Sequence, residues 1–279
     1  MRIPQILWLC TVAFLFTSST AGLAAFKSGV AYQKHAFVSQ IDGSDDSYAL
    51  AVPSSPSGQD ATLLVFLHGL NQDFTEPFKV PAGLTIAQGL VKEYPHLVIL
   101  SCNYGKTPSW GTKLAREDIT NNIHAVLQSH PVNRIVLAGD SMGACSALVY
   151  ACLAPKDIAE KITGIIAAYP SADLEELHKT TEAPLVKSSM ETALGKKPEE
   201  DSAVYRQNSL EAHLPFFPRH TKVGIISASE NTVFPTKLQN DVARLLKNRD
   251  VPVKVIQIEG NLQTPPVKAM VEAMQFVMQ

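Results

Sequence analysis

Seven short apolar runs punctuate the chain: YALAVP (48–53), TLLVFLHG (62–69), HLVILSCN (96–103), RIVLAGD (134–140), TGIIAAYP (163–170), KVGIISAS (222–229) and VKVIQIEG (253–260). Most are unbroken stretches of Val, Ile and Leu rather than alternations of apolar and polar residues, which is how strands covered on both faces read. Between them the apolar period lengthens to that of a helix. Ala115, Ile119, Ile123, Val126 and Leu127 form one stripe, Leu238, Val242, Leu245 and Leu246 a second, and Val267, Met270, Val271 and Met274 a third. All three are expected to face a core. Strands alternating with helices predict a mainly parallel central sheet with helices on both faces. One interval, from Ser171 to His220, lacks a clear strand, is helical and charged, and ends in LPFFP. Its length makes residues 171–220 a candidate cap over a pocket.

A length of 279 residues, 46% of them hydrophobic and 18% charged, suits one α/β domain with a substantial core. The formal net charge of −2 comes without a basic stripe or polybasic run, so neither nucleic acid nor an anionic membrane surface is an expected partner. The first residues change the picture more. MRIPQILWLCTVAFLFTSSTAGLAAF has one Arg, a mostly apolar run from Ile6 to Phe16, and small residues around Ala21 and Ala24. This is the pattern of a cleaved signal peptide, and the apolar run is short for a stable membrane span. The expected organisation is therefore a signal over 1–24 and one α/β domain over 25–279, exported to a periplasmic, secreted or lumenal compartment. Three cysteines follow the signal, Cys102, Cys145 and Cys152. Cys145 and Cys152 fall about 10 Å apart if they share a helix, beyond disulfide reach, and three buried, unlinked thiols are expected. No Cys or His spacing suggests a metal site, and no motif calls for a cofactor.

The sharpest chemical signal is RIVLAGDSMGA (134–144), a buried strand running into Gly139-Asp140-Ser141-Met142-Gly143 and then an apolar helix. A G-x-S-x-G motif in this setting makes a tight strand-to-helix turn that lifts the serine hydroxyl above the sheet and places helix N-terminal N–H groups beside it. Here the chain resembles the α/β-hydrolase family, in its secreted esterase and peptidase-like branch, over nearly all of the sequence after the signal. LVFLHGL (64–70) is similar to the family's oxyanion loop. The resemblance implies that the Leu70 and Met142 N–H groups hold an oxyanion. KVGIISASENTVFP (222–235) looks like the acid-bearing turn, and VKVIQIEGNLQTPP (253–266) like the last strand and histidine loop.

Two positions depart from the family pattern. Where an Asp-x-x-x-Pro turn is expected, Asn231 stands four residues before Pro235, and where the histidine is expected, Leu262 stands; no histidine follows His220. Asn cannot supply the charge that orients and stabilises an imidazolium, and without a base the serine stays protonated. In subtilisin, loss of the base costs about a millionfold in rate, while about 10³ to 10⁴ over water survives from the oxyanion hole and binding. Substitutes are conceivable: Glu230 beside Asn231 for the acid; His68 in the oxyanion loop, or His178 and His213 in the cap, for the base; and Asp173, just beyond the sixth of these runs' counterparts in the family sheet, as an orienting acid. Two readings stand. The favoured one is a weakly active or non-catalytic descendant that binds a small acyl, ester or peptide-like ligand in the old pocket. The alternative is a serine carboxylic-ester hydrolase that recruits a base from the cap.

Overall fold

A computed structural model describes residues 30–53, 61–79, 83–106, 108–261 and 264–279. The expected signal (1–24) and Leu262 lie outside the described residues. Eight strands form one sheet: β1 (Gln33–Val38), β2 (Asp45–Ala51), β3 (Thr62–Leu67), β4 (Leu97–Cys102), β5 (Arg134–Asp140), β6 (Ile162–Ala168), β7 (Lys222–Ala228) and β8 (Val253–Ile258). Their order is β1-β2-β4-β3-β5-β6-β7-β8; β2 pairs antiparallel with β1 and β4, and every other pairing is parallel. The seven apolar runs thus become β2 to β8. The strand β1 has no counterpart among them, because QKHAFV is an edge strand with only His35 and Phe37 half-buried, so it shows no apolar run. By contrast every residue of β3 and β4 is buried, as coverage of both faces requires.

The helices supply that coverage. The stripes fall on α2 (Lys113–Ser129), α9 (Thr236–Lys247) and α10 (Val267–Met278), and Ile119, Ile123, Val242, Met270 and Met274 are all buried. Packed against α10 is α1 (Ile86–Glu93), started by a capping box in which Thr85 and Gln88 exchange side-chain and backbone hydrogen bonds. The helix α3 (Met142–Leu153) is buried along nearly its whole length against β3, β5 and β6, and a four-residue turn, α4 (Lys156–Ala159), leads on to β6. Its two cysteines share the helix as expected, and all three described cysteines are free. Cys102 and Cys145 are buried, but Cys152, the penultimate residue of α3, is only partly covered.

Between β6 and β7 the chain makes α5 (Leu174–Thr180), α6 (Pro184–Leu194), α7 (Ser202–Gln207), α8 (Leu210–His213) and a 3₁₀ turn at Leu214–Phe216. No helix among the described residues is long and apolar enough to cross a membrane. The strand order places the site. From β3 the chain passes to β4 on one side and then returns to β5 on the other, so the loops after β3 and β5 emerge side by side at the carboxyl edge of the sheet. That is where open α/β sheets form a crevice.

Candidate active site

Ser141 joins β5 to α3 with φ 54° and ψ −118°, a conformation that side chains rarely adopt. It is fixed from both sides: its N–H donates to Ala168 O at 2.8 Å and its carbonyl accepts the Cys145 N–H at 3.1 Å. The flanking glycines let α3 begin so close to the sheet. A Cβ on Gly139 would lie 2.4 Å from the Gly143 carbonyl carbon, and one on Gly143 only 2.0 Å from Leu67 O. Strain of this kind costs about 1–3 kcal/mol and persists only where the surroundings over-determine it. Tyr169, which follows β6 beside Ser141, is also left-handed, with φ 54°.

The loop after β3 lies against this turn. Gly69 N–H donates to Gln72 Oε1 at 2.6 Å, Gln72 N–H closes back on Gly69 O at 3.3 Å, and Asn71 takes a left-handed φ of 61°. His68 is turned away: its Nδ1 lies 2.8 Å from Gly69 O, its ring tilts against Tyr104, and burial holds its pKa below the ordinary value. Gly69, Leu70, Asn71, Gln72, Asp140 and Ser141 line a cavity of about 260 Å³, with Ala183, Leu185 and Val186 at the start of α6, Val233 and Thr264 completing the wall. Among the described residues, neither the Leu70 N–H, the Met142 N–H nor the Ser141 hydroxyl has a hydrogen-bond partner. The Met142 side chain is occupied, its sulfur receiving the Ser109 N–H at 3.4 Å, but its N–H belongs to the first turn of α3, where helix geometry supplies no acceptor.

The other candidate residues are held elsewhere. Asn231 is buried in the turn after β7, where its Oδ1 accepts the N–H groups of Val233 at 3.0 Å and Phe234 at 2.8 Å. With Glu230, Glu182 and Thr180 it lines a separate, open cavity of about 390 Å³. Between the two cavities lies the turn that carries Val233. His178 packs edge-on to Tyr205 and pairs through Nε2 with Glu191 Oε1 at 2.9 Å. His213 points its Nε2 at Gln207 O, 2.9 Å away. Asp173 caps α5, its Oδ1 accepting the N–H groups of Glu175 and Glu176 at 2.8 and 3.2 Å. Ser141 and Leu70 are therefore brought to one cavity, whereas Asn231, Glu230, His178, His213 and Asp173 are not among its lining residues. Among the described residues no group of His, Cys, Asp or Glu is arranged to hold a metal.

Sequence reasoning passed over Asp140, which it read only as the variable position of the motif. This carboxyl is 2% exposed, and its Oδ1 has no partner. Burial, then the nearby Glu76, push its pKa up to about 7, against hydrogen bonding from Gln72 and Gly69. An acid at the end of an otherwise apolar strand was the available signal.

The sheet order, the strained serine and the loop beside it have the arrangement that the motif implies. The chain also matches the alpha/beta hydrolase fold family model over residues 80–262 of its 279. It belongs to the α/β-hydrolase family. No curated protein matches it by sequence. Among solved structures this α/β hydrolase is similar to the acylaminoacyl peptidase of Pyrococcus horikoshii, with TM-score 0.67, 14% identity and coverage of 88% of this chain but 40% of that one. It is also similar to an S-formylglutathione hydrolase from Agrobacterium tumefaciens (TM-score 0.66, 13% identity, 91% and 94% covered). A third is an esterase of the fungus Rhizomucor miehei (TM-score 0.64, 17% identity, 88% and 82% covered). The chain thus spans about two fifths of the length of the Pyrococcus peptidase. At these identities the likeness establishes the fold, and the chemistry has to be argued from the site.

Proposed function

We propose that this α/β hydrolase is exported and binds a small acyl, ester or peptide-like ligand in the Ser141 cavity, turning it over weakly or not at all. The observation that carries the proposal is that Ser141 and Leu70 line one cavity while the Leu70 N–H, the adjoining Met142 N–H and the Ser141 hydroxyl have no hydrogen-bond partner among the described residues. Two N–H donors suit one carbonyl oxygen, and the wall made by Ala183, Val186 and Val233 suits a short apolar chain beside it. The related solved structures, an esterase, an S-formylglutathione hydrolase and an acylaminoacyl peptidase, are all named for acyl compounds. Weak turnover follows from the absence of an imidazole among the described lining residues, with His178 and His213 engaged by Glu191 and Gln207. On this reading the helices between β6 and β7 act as a cap, since α6 closes one side of the cavity.

Ligand screening tests this by thermal shift. A ligand at about 100 times its Kd stabilises by about 2.7 kcal/mol, which raises the melting temperature by roughly 5 °C or more in a domain of this size. Short-chain esters and peptides are expected to give saturable shifts that weaken in Leu185→Asp, a change at a side chain 54% exposed on the cavity wall. A panel of such ligands that leaves the melting temperature unmoved would contradict the proposal.

A further inference from the structure

We propose that Asp140 makes the Ser141 cavity a charge filter, one that admits uncharged esters, amides and peptides and repels anions such as free carboxylates. This rests on the reading that the cavity binds acyl ligands, and it names which of them enter. Among the described residues that line the cavity, Asp140 is the single ionisable side chain. It directly precedes Ser141 and is sealed from water. A Cβ built on Gly69 would meet its Oδ2 at 3.0 Å, while its Oδ1 is left without a partner.

Among the described residues, the groups facing it from each neighbouring element bring no positive charge. They are Gly69 and Gln72 from the loop after β3, Glu76 from the 3₁₀ turn that follows, and Tyr169 after β6; Tyr104, after β4, lies within its field. Lys79, on the β3 side, pairs with Asp73 at 3.3 Å and Glu76 at 3.4 Å.

The effect matters because the rest of the site attracts anions. The amino end of α3 and two N–H donors without partners among the described residues would, on their own, hold a carboxylate, as helix N-termini commonly do. A charged carboxyl beside them, in a poorly screened interior, opposes that binding while leaving a neutral carbonyl unaffected. At an effective dielectric of about 20, one like charge at contact range changes affinity by at least about tenfold. Because Asp140 titrates near neutrality, at about 7, the filter is expected to operate above pH 8 and to relax below pH 6. Burial lowers the pKa of His68 from its ordinary value, which favours its neutral form.

The test uses two probes of matched shape: 1-butanesulfonate, charged at every relevant pH, and butanesulfonamide, neutral throughout. Binding to the full protein is measured calorimetrically at pH 5.5 and 8.5. The sulfonamide should bind equally at both values. The sulfonate should bind at least about tenfold more weakly at pH 8.5, and Asp140→Asn should abolish that difference by strengthening binding at pH 8.5. Glu76→Gln provides a second variant that keeps the carboxyl in place. Removing a neighbouring negative charge should move the midpoint of the sulfonate's pH dependence to lower pH. Sulfonamide binding together with pH-independent sulfonate binding would overturn the filter alone, as would an unchanged pH dependence in folded Asp140→Asn. If neither probe binds under any condition, the acyl-site reading falls, and the filter with it.

Discussion

Replacing Gly143 by Ala probes the packing that presents Ser141. The added Cβ would stand 2.0 Å from Leu67 O, 2.7 Å from Leu67 C and 2.8 Å from His68 O. All three are backbone atoms. Leu67 cannot retreat, because β3 is paired on both sides, with Leu67 opposite Cys102 in β4 and Gly139 in β5. Relief therefore requires α3 to move off the sheet, carrying Ser141 and the Met142 N–H with it. Overpacking a core with side-chain atoms costs about 1–3 kcal/mol, and a clash against fixed backbone belongs at or above that upper end. The helix-propensity gain of Ala over Gly, about 1 kcal/mol, does not offset it. A loss of about 3 kcal/mol or more corresponds to a fall of roughly 6–12 °C in melting temperature for a domain of this size. Gly195→Ala is the control. Gly195 follows α6 with φ +77° and has nothing within 4 Å of its would-be Cβ, so only the left-handed backbone penalty of about 1–2 kcal/mol applies. Thermal or urea unfolding of both variants decides the matter, and a Gly143→Ala protein as stable as Gly195→Ala would refute the close-packed elbow.

Two other predictions follow from the residues around it. Asp140 holds its proton in the folded protein up to about pH 7, whereas an unfolded Asp releases it near its ordinary value of 3.8. Stability should therefore fall as pH rises between these values, by an amount on the order of 4 kcal/mol at most, and stay lowered above pH 7. Asp140→Asn should flatten that slope in urea titrations across pH 4–8, and an unaltered slope would count against the buried carboxyl. For the triad positions, Asn231→Asp keeps an oxygen for the Val233 and Phe234 N–H groups and should change p-nitrophenyl ester hydrolysis little by itself. Leu262→His alone should add slightly, and the pair much more, with about 10⁴ as the upper scale for the contribution of the acid, all lost on a Ser141→Ala background. A folded double variant no faster than the parent would mean that residue 262 does not occupy the base position.

Most of the sheet could be read directly from residues 48–260, because β3 to β7 are covered on both faces and their apolar runs are unbroken. The run RIVLAGD coincides with β5 residue for residue. The edge strand β1 could not be read in this way, since it is held by backbone pairing to β2 while most of its side chains face solvent. The same division holds at the site. Ser141 was legible because its turn is local: Gly139, Gly143 and the switch of period from strand to helix all lie within a few residues. Asp140 and Gln72 were not, because what matters is a contact between the end of β5 and a loop nearly seventy residues away in sequence. Nor could the sequence show that His178 pairs with Glu191, which depends on how α5 packs against α6.

On the proposed reading, Ser141 is presented to ligands but is not activated as a nucleophile. Reaction with a fluorophosphonate measures this most directly, since labelling needs the same activated hydroxyl as attack on an ester. The folded protein at pH 7.5 should label slowly if at all, at a rate far below that of an active serine hydrolase and scarcely above that of Ser141→Ala. Rapid stoichiometric labelling that Ser141→Ala abolishes would contradict the claim and show that a base reaches the serine.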